Sequence, residues 1–192
     1  MSSEYPVSQT NPRKRPITEV DEPTTLICTV VAIDHTNLYY RVCSVCEKTL
    51  PEATHKNATI NPCSSSASLP ICRYCNFKNA FNPGSSGSKR LFKVLMSIAT
   101  DTKVFVVVMF DRAARVLFGC SADEFFDFAK IHPFAATTAG KVLEGEMLRV
   151  MLSKPKNGNA QHLRVASVVP LQSSFQPAIV TLRKLYQVRG GS

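Results

Sequence analysis

Apolar residues recur with period two between positions 91 and 98. Phe92, Val94, Met96 and Ile98 share one parity, while Lys93 and Ser97 share the other. Successive side chains of a strand point to opposite faces, so this spacing predicts a strand with one face in a core and the other wet. Residues 103–110 are more uniformly apolar, and Asp101-Thr102 before them reads as a turn, so the two runs predict a hairpin. Two earlier runs, 26–33 and 38–42, are also β-like, the first in its concentration of Leu, Ile, Val and Thr. A last hairpin is expected from 146–153 and 162–170 around the turn Pro155-Lys156-Asn157-Gly158-Asn159, with Arg149 and Arg164 on the polar parity of their strands.

Helical signals are fewer. Ser121-Ala122-Asp123-Glu124 has the spacing of a capping box, in which the Ser121 hydroxyl accepts from the third helical amide and Glu124 reaches back. A short Phe-rich helix should follow through about Lys130 and stop at Pro133. Near the C-terminus, Ile179, Leu182, Leu185 and Tyr186 fall on one stripe of a helix over 176–187. So short a helix is marginal alone in water, so the stripe must be covered by the chain's own barrel or by a partner.

The hydrophobic pattern is interrupted by Cys43-Ser44-Val45-Cys46 and Cys72-Arg73-Tyr74-Cys75. Two such knuckles supply the four thiolates of a closed tetrahedral zinc site, which has no open position for substrate and therefore acts as a folding staple. One structural Zn2+ on Cys43, Cys46, Cys72 and Cys75 is the expectation. The Ser- and Asn-rich excursion at 47–71 adds His55 and Cys63 as competing ligands, and 83–88 is a turn-rich connector out of the insertion. Cys28 and Cys120 sit among apolar residues and read as core.

Charge alters the picture next. The 192 residues carry a formal +9, yet within the first 23 Arg13, Lys14 and Arg15 face Glu4, Glu19, Asp21 and Glu22, a sum of −1. The remaining chain holds +10, an excess that points to a polyanion, nucleic acid first. The tail's Ser, Pro and charge suggest flexibility, and Pro12-Arg13-Lys14-Arg15-Pro16 resembles a nuclear-import signal. With no apolar run long enough for a bilayer and no signal-peptide core, a soluble nuclear protein is expected, without a membrane partner.

The predicted order is strand, cysteine insertion, strand, strand, helix, strand, strand. That is the order of an OB-fold, a five-stranded barrel whose second and third strands and adjoining loops bind oligonucleotides. The fold class expected is therefore mainly β, a five-stranded OB-fold barrel with an inserted four-cysteine zinc ribbon and a short C-terminal helix. The expected boundaries are a tail over 1–23, the barrel domain over 24–172 with its ribbon at 43–80, and the helix and tail over 173–192. Tyr39-Tyr40-Arg41-Val42-Cys43, Phe110-Asp111-Arg112-Ala113-Ala114 and Leu117-Phe118-Gly119-Cys120-Ser121-Ala122-Asp123-Glu124 make the stretch 26–170 resemble the C-terminal DNA-binding domain of the replication protein A large subunit, a family with noxin-like and meiotic paralogues.

That resemblance implies single-stranded DNA binding in replication, repair, recombination or telomere maintenance. It also implies a base-stacking aromatic at Phe110 and a C-terminal helix that packs with other OB-fold subunits. Single-strand binding needs a basic groove and π-faces. Lys93, Lys103, Arg112, Arg149, Lys154, Lys156 and Arg164 are the candidate cations, and Phe105 and Phe110 the candidate rings. Ile179, Leu182, Leu185 and Tyr186 are the candidate partner-binding residues. His132 and His162 lie in no nucleophilic pattern, and no phosphate loop or deaminase motif is present, so neither an enzyme nor a small-molecule substrate is expected. The alternative is an OB-fold scaffold with little nucleic-acid binding of its own.

Overall fold

The computed structural model describes residues 23–51, 72–78, 80, 87–155 and 161–189. The tail with its import-like motif, His55, Cys63, Lys156 and most of the 155–159 turn and the 83–88 connector lie outside them. The chain runs β1 (Thr24–Ile33), β2 (Tyr39–Cys43), β3 (Ser88–Ala99), β4 (Val104–Phe110), α1 (Asp111–Phe118), α2 (Ala122–Ile131), α3 (Ala135–Leu143), β5 (Met147–Ser153), β6 (Leu163–Pro170) and α4 (Ala178–Arg189).

Strand order is β1-β5-β6-β4-β3-β2, and an additional β1–β3 pairing closes five strands into a barrel with β2 outside it on β3. All pairings are antiparallel except β4–β6, which is parallel. The fold is therefore the expected OB-type barrel. Alternation predicts the interior well: Phe92, Val94, Met96 and Ile98 are fully buried, as are Leu148 and Val150 of β5. Register shifts at Val30/Ala32 and at Met151/Leu152 mark the irregularities in β1 and in the β5–β6 pair, where extra twist helps a sheet close.

Three helices, where one was expected, connect β4 to β5. The capping box at Ser121 is present: its hydroxyl accepts from the Glu124 amide, and the Glu124 carboxylate accepts from the Ser121 amide. α1 starts immediately after β4, so Asp111 to Ala114 are helical and do not extend the strand. The Asp111 carboxylate accepts from the Phe92 amide at 3.2 Å, which ties the helix start to β3. Gly119 ends α1 at φ 73 with a left-handed cap whose amide reaches the Arg115 carbonyl. α3 buries a small-residue face of Ala135, Ala139 and Gly140, with Leu143 closing it.

The rings of Phe92, Phe118 and Phe125 meet under the barrel, with centroids 4.7, 5.1 and 6.1 Å apart, and join strand β3 to α1 and α2. α4 packs back on α3 and α1. Ile179 and Leu182 are buried in the main core, which corrects the expectation that the whole stripe faces a partner. Leu185 is 47% exposed, and Tyr186 is half-buried against Phe128 and His132.

Candidate metal centre and nucleic-acid interface

The two cysteine knuckles adopt matching turns. Glu47 N donates to the Cys43 carbonyl at 2.9 Å and Asn76 N to the Cys72 carbonyl at 2.8 Å. The residue after each second cysteine, Glu47 or Asn76, has φ 56, the left-handed conformation that reverses the chain. These turns bring all four Sγ atoms within 4.8 Å of one another. The Cys43–Cys75 and Cys46–Cys72 separations are 3.6 Å. A tetrahedron with metal–sulfur bonds of about 2.3 Å has edges of about 3.8 Å, so the spacing suits one tetrahedral ion.

Electrostatics agrees with a cation there. The Tyr74 amide, then that of Cys75, lowers the Cys72 thiol to about 7, and the Cys46 and Val45 amides lower Cys43. The last proton is held: despite the Phe77 amide, burial and the neighbouring sulfurs push Cys75 up to about 12. Four thiolates this close repel one another unless a positive ion sits among them. The chain can hold a metal ion at this cluster. Among the described residues, Leu50 and Ala80 are buried with Cys43 and Cys72 in the ribbon's own apolar cluster, with Phe77 half-buried against it.

Strand β2 links this cluster to the barrel surface. It ends at Cys43, and three residues earlier carries Tyr40, whose ring meets Phe110 of β4 edge-on at 6.4 Å. The Arg164 guanidinium of β6 lies over the Phe110 ring at 4.9 Å. Burial and then the Asp111 carboxylate raise the Tyr40 hydroxyl, while Arg164 opposes them, so it stays a neutral donor. Lys93 stands directly opposite Phe110 on β3 and is exposed. The result is an outward-facing pair of rings among cations.

A cavity of about 320 Å³ beside this pair is lined by Phe110, Arg112, Ser153, Lys154 and Arg164. A second, of about 410 Å³, shares Ser153 and Lys154 and continues to Lys103, Phe105 and Thr24. The two form a groove from the Tyr40–Phe110 platform to the mouth of the barrel. Of the residues expected from sequence, Lys103, Phe105, Phe110, Arg112, Lys154 and Arg164 therefore line one groove, with Lys93 at its edge.

Two expectations change. Phe105 has the inward parity of Val107 and Met109, faces Ile98 and is half-buried against the core, so only part of the ring reaches the groove. Arg149 lies on β5 between Ile27 of β1 and Val169 of β6, on an outer face away from β3 and β4. Tyr40 was missed, although a tyrosine three residues before a ligand cysteine, on the strand leading into the ribbon, is a signal for a rim position.

Beyond the groove, Arg90 anchors α2 to β3. Its amide and guanidinium both donate to Asp123, at 3.1 and 2.9 Å, and the guanidinium lies 3.5 Å over the Phe126 ring. Tyr39 meets the same ring edge-on at 5.3 Å. The root of the ribbon is thereby fixed to the helical layer.

No family model and no curated protein matches the chain. Solved structures do. A chain of a replication protein A heterotrimer bound to single-stranded DNA is similar with a TM-score of 0.57 at 17% identity, over 89% of this chain and 36% of that one. A chain of yeast replication protein A bound to single-stranded DNA gives 0.56 at 15%, over 93% of this chain and 92% of that one. The chain thus spans about a third of the first neighbour and nearly all of the second. At these identities the likeness establishes an OB fold like that of replication protein A chains.

Proposed function

We propose that this protein binds single-stranded DNA in the groove that starts at Tyr40 and Phe110, and that one structural zinc ion on Cys43, Cys46, Cys72 and Cys75 holds the ribbon beside it. The observation that carries the reading is the outward Tyr40–Phe110 pair capped by Arg164, with Arg112 and Lys154 lining the cavity beside it. Rings offer faces to unpaired bases, worth about 1–3 kcal/mol per base, and the cations take phosphates. A duplex keeps its bases stacked inside and cannot use the rings. The two neighbours, both bound to single-stranded DNA, support the reading at the level of fold. The same proposal includes a role of the replication protein A large-subunit type in replication, repair, recombination or telomere maintenance in the nucleus.

A scaffold reading draws on the rest of the β3–β4 face, where Leu95, Val104, Val106 and Val108 supply aliphatic side chains and no ring. The two are separated by titrating a fluorescent oligothymidylate and a duplex of equal length at several salt concentrations. DNA binding predicts preference for the single strand and an affinity that falls steeply with salt. Replacing Arg112 and Arg164 with Gln should flatten the slope by about one to two phosphate equivalents. Equal, weak binding to both would leave only the scaffold.

A further inference from the structure

Arg149 faces outward on β5, four residues along the strand from Ser153 of the groove. On the outer face of β1, β5 and β6 it is flanked in register by Ile27 and Val169, and along its own strand by Met147 and Met151. These four neighbours are 53%, 51%, 43% and 36% exposed. Scattered exposed aliphatics are ordinary, but four arranged around one guanidinium form a contiguous patch. Met147 to Met151 extends about 14 Å along the strand and the three strands span about 10 Å. Arg149 has no hydrogen bond, ion pair or ring contact among the described residues. The nearer positions on the face, Thr25, Thr29 and Ser167, are uncharged, and beyond Met151 it runs through Ser153 to Arg164 at the groove. Next to it, a depression of about 730 Å³ opens between Ile27, Thr29, Met147 and the β3–β4 turn at Asp101.

We propose that this face docks an acidic, apolar segment of a protein partner, with a carboxylate on Arg149 between apolar side chains on Ile27, Met147, Met151 and Val169. Arginine and methionine in an aliphatic setting is the composition of an interface centre, and the positive guanidinium sets the sign of what meets it. A second copy of the chain fits poorly, since a two-fold contact through the patch brings Arg149 against its own symmetry mate. Nucleic acid finds no aromatic ring there, and the other cations, Lys103 at the depression and Arg164 beyond Ser153, stand at the edges of the patch, whereas an anionic membrane surface needs a cluster of cations. The adjoining depression is wide enough for one large apolar anchor from the same segment.

The test pans a displayed library of random 16-residue peptides on the full-length protein. The expected result is enrichment of sequences with Asp or Glu flanked by apolar residues. Arg149→Glu should weaken such a peptide by at least about tenfold, as expected for a charge pair at an interface centre. Reversing the peptide carboxylate to Lys should restore binding to that variant. Val169→Lys should abolish it, and both exposed variants should melt like the parent. Absence of enrichment, peptides without a carboxylate, or equal binding to Arg149→Glu would overturn the proposal. So would self-association lost in Val169→Lys, or stronger peptide binding after Glu19→Gln, Asp21→Asn and Glu22→Gln, which would make the chain's own acidic segment the occupant. Loss of oligothymidylate binding in Arg149→Glu would return the face to nucleic acid, whereas failure of the groove reading alone leaves the peptide result unchanged.

Discussion

Stripping the metal should melt the ribbon and leave the barrel folded. The described ribbon, Cys43 to Leu50 and Cys72 to Lys78, is fifteen residues, and ordering them costs about 15 kcal/mol at about 1 kcal/mol each. Against that, among the described residues Leu50 and Ala80 are the buried apolar side chains other than ligands and Phe77 is half-buried beside them, together worth about 3 kcal/mol. The deficit of about 12 kcal/mol lies within the about 10–16 kcal/mol that a structural zinc supplies. The barrel has its own core, from Phe92 and Met96 through Leu148 to Leu182, and does not draw on the ribbon's cluster. Hydrogen exchange with and without a zinc chelator separates the two. The amides of Cys43, Glu47, Leu50, Cys72 and Asn76, all hydrogen-bonded within or at the root of the ribbon, should lose protection, while Val94, Met96, Val107 and Met109 keep theirs. Cys72→Ser should reproduce the pattern. Retained ribbon protection after chelation, or collapse of barrel and ribbon together, would refute the reasoning.

Three further outcomes follow from the same contacts. Gly119→Ala should lower the melting temperature strongly, because φ 73 is strained for alanine and its Cβ would sit 2.3 Å from Pro177 Cβ; unchanged thermal denaturation would contradict this. Leu182→Ala should cost about 2–5 kcal/mol in urea unfolding and Leu185→Ala well under 1 kcal/mol, since the first is buried and the second half exposed; the reverse order would restore the stripe to an interface. The Ser121 amide and hydroxyl lower the Glu124 carboxyl, so its contribution is present above the ordinary glutamate pKa and fades as pH falls through the lowered value. Glu124→Gln should remove that part of the acid dependence, and an identical pH profile would contradict it.

The strands were legible because each buries one face. In β3 and β5 every inward position from Phe92 to Ile98 and from Leu148 to Leu152 is apolar, which marked the inward side, while β3 starts at Ser88, before the expected run, and Leu95, Met147 and Met151 are apolar on the outer side. α2 was legible from its capping box. α1 and α3 were not, for a shared reason: their N-caps are Phe110 and Phe134, and neither makes a side-chain cap. Asp111 would have marked a helix start, but its carboxylate is engaged with β3, a contact no local pattern reveals. α3, with two threonines and a glycine, has weak propensity and is helical because its small face packs in the interior; Gly140 lies beside Ile33 of β1. The cysteine cluster was fully legible, since ligand spacing is local.

The groove was legible only in part. Parity told which residues were wet, and six of the expected residues do line it. Parity alone cannot say which side of a closed barrel a wet residue occupies. Arg149 and Arg164 are alike in sequence and both face outward on the paired β5 and β6, yet Arg164 stands opposite Ser153 beside β4 and reaches the Phe110 ring, while Arg149 stands farther along between Ile27 and Val169. Phe105 and Phe110 have opposite parity on one strand, and only Phe110 faces outward. Tyr40 entered the site through a pairing of β2 with β3 that spans the whole insertion.

Photocrosslinking addresses the groove most directly. Oligothymidylate with 5-iodouracil at alternate positions would be irradiated on the full-length protein, and the linked residues located by mass spectrometry. Crosslinks are expected at Tyr40 and Phe110, lost from Phe110 and weakened overall in Phe110→Ala. Crosslinks on the Arg149 face or on α4, with Tyr40 and Phe110 untouched, would contradict it.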